Sequence, residues 1–157
     1  MSFRHLVATL AVVGGVASGP YDIVLMNTAK VPTARGEARL LFASSPFGIA
    51  VTADGYSRYD VRITASGLPE PSTLGEYAAF VAWEVTTDLS QWTRLGTVTN
   101  GESMVGEARS NKFMLVITAE RSDTTSVHAG PTLLHGISPS GWIQAFGSHP
   151  LFRGISQ

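Results

Sequence analysis

Four histidines, His5, His128, His135 and His149, supply all the imidazoles of a 157-residue chain that contains no cysteine. No two of them stand at i, i+2 or i, i+4, the spacings that put a pair of imidazoles on one side of a strand or helix, so the sequence gives a metal site no support. His128 and His135 would face opposite sides of a continuous strand, and Gly130 with Pro131 breaks the strand between them. Methionine ligates copper(I), yet Met26, Met104 and Met114 form no clustered Met-x-x-Met pattern, and Met114 reads as strand filler. The lack of thiols excludes disulfides, thiolate zinc, iron–sulfur ligation, cysteine nucleophiles and blue-copper centres. No G-x-S-x-G elbow accompanies the serines, and Ser138-Pro139-Ser140 reads as a turn. Paired acids could hydrolyse a glycoside, but Glu84, Asp88, Glu120 and Asp123 fall at strand ends or in loops, where carboxylates are usually solvated. The glycines are dispersed among turns and none opens a helix to cradle a phosphate. The expectation is a chain with no catalytic residues, no metal and no cofactor.

The elements around these residues are strands. From Gly36 onward the apolar spacing is mostly two, and no 3.6-residue periodicity persists beyond about two turns. Tyr59, Val61, Ile63 and Ala65 alternate with Asp60, Arg62, Thr64 and Ser66, a strand with one wet face. Lys112–Ala119 has apolar residues on both faces, with Phe113, Leu115 and Ile117 on one and Met114, Val116 and Thr118 on the other, which implies a central strand. Tyr77–Thr87 is the most apolar run, read with Tyr77, Ala79, Val81, Trp83 and Val85 inward and Phe80 outward, so that Trp83 lies in the core. Asp54-Gly55 and Asn100-Gly101 predict hairpins, because these dipeptides reach positive φ at little cost, and Ser110-Asn111 predicts a third turn. LPEPSTLG over Leu68–Gly75 reads as a crossover between two sheets, Ser122–Ser126 as a polar loop and Pro131–His135 as a short edge strand. Together these predict an all-β fold, an antiparallel β-sandwich (Ig-like or a flattened barrel) of about seven or eight strands. The expected organisation is an N-terminal apolar leader or arm over 1–35, the sandwich over 36–136 and an irregular C-terminal tail over 137–157.

Composition bounds the partners. Eleven Lys plus Arg against twelve Asp plus Glu give a net charge of -1, with 15% charged residues, so the dense cationic surface that nucleic acid requires is missing. Residues 1–19 have Arg4 and His5 before the apolar run Leu6–Val13 and small residues after it, the layout of a signal peptide cut before Gly19. Export is the favoured reading, a buried first strand is the alternative, and a retained leader would be an anchor or docking arm on a membrane or partner. Phe80, Trp92, Trp142, Phe146, Leu151 and Phe152 are large apolar residues in or beside loops, edges and the tail, more than one small sandwich can bury. Trp142, Phe146 and Phe152 could fold back as a lid over one open end of the sandwich, or meet a partner, or both. The partner-binding residues expected from these runs are Leu6, Val7, Leu10, Val12 and Val13 in the arm and Trp142, Phe146, Leu151 and Phe152 in the tail.

The stretch EARLLFASSPFGIAVTADGYSRYDVRITASGLPEP, followed by YAAFVAWEVTTDLSQWTRLGTV, KFMLVITAE and GPTLLHGISPS, resembles bacterial envelope β-sandwich domains, broadly the extracytoplasmic domain of anti-sigma-K-type regulators. The resemblance covers roughly residues 36–136, lies in texture and carries no catalytic residue. By form the chain also looks like the membrane-extrinsic subunits of bacterial photosynthetic complexes of reaction centre and light-harvesting ring. These resemblances imply a non-catalytic structural or accessory subunit on the periplasmic face of a membrane, docked on a larger membrane complex. A small periplasmic ligand-binding or hydrolytic β-sandwich is the alternative.

Overall fold

The computed structural model describes residues 21–43, 58–110 and 112–139. Their period-two runs form eight strands: β1 (Asp22–Asn27), β2 (Arg35–Phe42), β3 (Tyr59–Ser66), β4 (Ala79–Thr86), β5 (Trp92–Val98), β6 (Gly101–Ala108), β7 (Phe113–Glu120) and β8 (Thr132–Ile137). Every pairing is antiparallel, in the order β5-β4-β7-β8-β1-β2-β3-β6. The all-β, sandwich-like expectation is met. The sheet is folded over on itself, with β1 at the fold. Its first four residues pair with β2, whereas Met26 and Asn27 pair with His135 and Leu134 of β8. A strand that serves two sheets in this way makes a corner. Gly136 permits it, since a Cβ there would lie 2.6 Å from the Val24 carbonyl oxygen. Residues 22–27 fall within the stretch read as an arm, and Ile23 and Leu25 are core residues.

At the opposite corner β5 and β6 lie side by side without a hydrogen-bonded ladder, so the sheet is nearly closed. This corrects the hairpin expected at Asn100-Gly101. The turn exists, with Gly101 at φ 96°, but it carries the chain from one edge of the sheet to the other. Asn100 stabilises the crossing by accepting a hydrogen bond from the Leu68 amide at 3.0 Å and donating to the Leu68 carbonyl at 2.7 Å. Asp54-Gly55 and Asn111 lie outside the described residues.

The main core fills the space between the layers with Val61, Ile63, Ala65, Phe80, Ala82, Phe113, Leu115, Ile117 and their neighbours. β3 and the central β7 therefore face as their alternation predicts. β4 is inverted relative to expectation: Phe80 and Ala82 face this core, and Val81, Trp83 and Val85 pack on the other side of the sheet with Val116. Both faces of β4 are apolar, so period two gives two parities and no means of choosing between them. The edge strand expected at Pro131–His135 is β8, which is interior between β7 and β1. The Leu68–Gly75 crossover joins β3 to β4 as expected and includes one 3-10 turn, Pro71–Leu74.

Three register shifts interrupt the ladders, at Ala82/Trp83 against β5, Val61/Arg62 against β6 and Ile117/Thr118 against β8. The residues they add, Leu95, Val105 and Leu133, all pack with the main core. Each bulge therefore supplies an extra inward side chain and bends its strand towards a corner.

The β5–β6 corner yields a stability prediction. A Cβ on Gly96 would meet the Val105 carbonyl oxygen at 2.5 Å, and that oxygen is backbone and cannot swing aside. Gly96→Ala should cost about 1–3 kcal/mol through forced backbone shifts, measured by urea denaturation. Gly101→Ala, with nothing within 4 Å of the new Cβ, should cost only its φ strain. A second prediction comes from the β4–β5 turn, where hydrogen bonds from Thr86 and from the Ser90 hydroxyl and amide hold the Asp88 carboxyl down to about 2. A lowered folded value means that this contribution is present above the ordinary carboxylate range and is lost as pH falls through it. The stability difference between the native chain and Asp88→Asn should therefore shrink between about pH 4 and pH 2, read from urea midpoints.

Candidate functional site

The outer face of the β5-β4-β7-β8 layer is built in cross-strand rows. Trp92, Val85, Met114 and Ile137 form one row, each directly opposite the next. Arg94, Trp83, Val116, His135 and Met26 form the row beside it, running across five strands. Directly opposite residues have Cβ atoms about 5 Å apart, close enough for large side chains to interlock. An apolar outer face needs a cover, and the loop over residues 121–131 provides one for half of it.

Three attachments hold that loop down. The Arg94 guanidinium donates to the Asp123 carbonyl oxygen. The His128 ring stacks on Trp92 with centroids 3.7 Å apart, and presents its edge to Trp83 at 6.2 Å. The Glu120 carboxylate accepts hydrogen bonds from the Ala129 and Gly130 amides at 3.2–3.3 Å. Beneath them Trp83 is fully buried, its indole N–H donating to the Thr118 hydroxyl at 2.8 Å while that hydroxyl donates to Glu120 at 2.6 Å. The network joins loop, strand and indole, and leaves no buried indole donor unpaired.

The candidate acids are not brought together. Glu84 faces the main-core side of β4 and accepts from the Arg109 and Ser110 amides, whereas Glu120 lies on the outer face at the far end of β7. Both are buried, at 6% and 2% exposure, which corrects the expectation of solvated carboxylates. Loop amides donate to both, Arg109 and Ser110 to Glu84 and Ala129 and Gly130 to Glu120, which also accepts from the Thr118 hydroxyl, and burial costs little when such donors are supplied. Asp88 stands in the β4–β5 turn and Asp123 in the loop at the other end of the layer. A cleft of about 430 Å³ beside Glu120 is lined by Tyr77, Arg121, Ser122, Thr125, Ala129 and Gly130. His128 and His135 both belong to the outer face of this layer, through the stack on Trp92 and the row beside Val116, and not to opposite sides. Among the described residues no three His, Asp or Glu gather to hold a metal ion, and no helix is long and apolar enough to cross a membrane. Ser138 is buried and pairs with Phe113 through its amide and its hydroxyl.

A second surface stands at one end of the sandwich. Tyr21, Phe42 and Tyr59 share the inward parity of β1, β2 and β3, and their rings meet with centroids 5.3–6.3 Å apart. Tyr59 packs on the main core, but Phe42 is 59% exposed and Tyr21 43%. Beside them Glu107 lies between Arg58 and Arg109, and the Arg58 guanidinium holds its carboxyl below the usual range, with Arg109 adding to the effect. Segments 1–20 and 44–57 both join the sandwich at this trio, through Tyr21, Ala43 and Arg58. The predicted partner-binding residues Leu6, Val7, Leu10, Val12, Val13, Trp142, Phe146, Leu151 and Phe152 lie outside the described residues. Phe80, counted there as surplus surface, is in the core, and Trp92 is half-buried under His128. The sequence reading missed the trio. The available signal was Phe42, which falls in step with Ala38 and Leu40 at the end of β2.

Trp83→Ala should cost about 3–5 kcal/mol, as for a large side chain removed from a packed interior, and chemical denaturation measures it. A loss below about 1 kcal/mol would contradict the burial described. Comparison of the chain with protein-family models, with curated proteins and with solved structures finds no match.

Proposed function

We propose that this chain is a non-catalytic accessory subunit, an exported β-sandwich that docks on a larger membrane assembly by the end carrying Tyr21, Phe42 and Tyr59. One observation carries the reading: an exposed aromatic cluster, Tyr21, Phe42 and Tyr59, stands at one end of the sandwich, and Tyr21 follows in sequence on the segment that contains the apolar run Leu6–Val13. Aromatic side chains bury about 150–250 Å² each and dominate the energy of interfaces when they fill a partner's pockets. Arg58 and Arg109 beside the cluster, tied to Glu107, give that apolar centre a polar rim. The likeness in form to membrane-extrinsic photosynthetic subunits makes a reaction centre with its light-harvesting ring the first assembly to test. The small-ligand alternative would use the cleft beside Glu120, where both carboxylate oxygens already accept hydrogen bonds within the chain.

The test is native purification of the full chain from membranes in mild detergent. The expected result is co-migration with a large complex, reduced at least about tenfold, equivalent to about 1.4 kcal/mol, in Tyr21→Ala/Phe42→Ala, with the melting temperature of the isolated protein little changed. Migration as a lone soluble monomer under every salt and detergent condition would overturn the proposal.

A further inference from the structure

The outer face of β2, β3 and β6 is charged where that of the other layer is apolar. It too is built in cross-strand rows. Asp22, Arg39 and Arg62 stand directly opposite one another, Glu37, Thr64 and Glu102 form the next row, and Arg35 faces Ser66 in the third. Over these rows lies an open cleft of about 380 Å³, within the size range of small-ligand sites. Arg39 is engaged, its Nε donating to Asp22 at 2.9 Å. Arg62 therefore stands opposite a like charge, an arrangement that is destabilising across a strand pair. Its Nε is buried and donates no hydrogen bond, the nearest Glu102 oxygen being 3.6 Å away. Glu37 approaches Arg39 at 4.0 Å, beyond hydrogen-bond distance. Among the described residues the Arg35 guanidinium and the Thr64 and Ser66 hydroxyls have no hydrogen-bond or ion-pair partner.

We propose that this cleft is a binding site for a sugar acid, a ring that carries hydroxyls and one carboxylate. The open groups select that chemistry. Arg35, a cation without an ion-pair partner, and Arg62, a guanidinium with an unsatisfied donor, both favour an anionic group on the ligand, which arginine can grip with two parallel hydrogen bonds. A simple inorganic anion would use those two side chains alone and would be repelled by Glu37 and Glu102. Those carboxylates instead accept hydrogen bonds from hydroxyls, and the Thr64 and Ser66 hydroxyls both donate and accept. A ligand acidic at one position and hydroxylated around the rest meets every one of these groups. The spacing suits a single ring. Arg35 and Arg39, whose row contains Arg62, are four residues apart on β2, about 13 Å along the strand, and the row of Glu37, Thr64 and Glu102 between them forms the floor. Two long arginine stems can close on a ring across that floor. The cleft beside Glu120 offers less, because both carboxylate oxygens there are already bonded within the chain. Arg35 and Ser66 also stand at the opposite ends of β2 and β3 from Phe42 and Tyr59, so ligand binding and docking would not compete.

The test is an NMR titration of the full-length protein with glucuronate. The expected result is saturable shifts confined to the amides around Glu37 and Thr64, with a dissociation constant on the order of 1 mM. Glucose, which lacks the acid, and acetate, which lacks the hydroxyls, should each bind at least about tenfold more weakly. Arg35→Gln combined with Arg62→Gln should weaken glucuronate by at least about tenfold, with the resonances of the core strands unmoved. Thr64→Val, which keeps every charge, serves if that double variant fails to fold, and should weaken glucuronate without changing the response to acetate. Absence of saturable shifts at those amides, or full glucuronate affinity in the variants, would overturn the proposal. Acetate binding as tightly as glucuronate would do so too, by reducing the cleft to an unselective anion site. The titration contains neither membrane nor partner, so its failure would leave the proposed docking at Tyr21, Phe42 and Tyr59 standing.

Discussion

Burial on both faces of the β4–β7 pair is the constraint from which the architecture follows. Phe80 and Ala82 with Phe113, Leu115 and Ile117 need one apolar layer beneath them, and Val81, Trp83, Val85 and Val116 need another above. A sandwich supplies the first through β1, β2, β3 and β6. The second comes from a loop, whose ten or so residues make no core of their own and are held at discrete points by a guanidinium, an imidazole and a buried carboxylate. The polar residues of this layer accordingly act as fasteners. Glu120 accepts from two loop amides and a threonine hydroxyl, and Glu84 accepts from the Arg109 and Ser110 amides of the β6–β7 connection.

Close approach at the corners is the second organising feature. Gly136 lets β1 pair with β8, and Gly96 with Gly106 lets β5 lie against β6: the Val105 carbonyl oxygen of β6 occupies the space of the side chain missing at Gly96, and the Leu95 carbonyl oxygen of β5 that missing at Gly106. The three bulges lie in strands that approach these corners and add inward leucine or valine where the layers converge. Bending and filling are thus achieved by the same residues.

Legibility in the sequence tracked the integrity of the alternating pattern. β3 and β7 were readable because Tyr59–Ser66 and Phe113–Glu120 keep one parity along the faces that matter. β5 was readable as a strand before the Asn100-Gly101 turn but its facing was not, because the extra residue at Leu95 moves the inward series from Thr93 and Leu95 to Val98. The strand direction of Asn100-Gly101 was misread for a different reason: a turn dipeptide specifies local φ and ψ, and says nothing about whether the two strands then pair. The candidate surfaces were still harder. The His128–Trp92 stack and the seating of Glu120 depend on where a loop returns, which no periodicity encodes, and the trio depends on three strands ending at one level.

The double duty of β1 also has a kinetic meaning. Met26 pairs with His135, so the contact that joins the two sheets spans nearly the whole described chain. Closing so long a loop carries a large entropic cost before any contact repays it, and folds dominated by such pairings form slowly. During synthesis β1, β2 and β3 appear first and can pair with one another, yet their apolar inner faces have no opposite layer until β4, β7 and finally β8 arrive. The chain therefore commits to its native topology late. An unfinished β1–β2–β3 meander, with exposed edges and an open face, is the species that a holding chaperone must shield from aggregation.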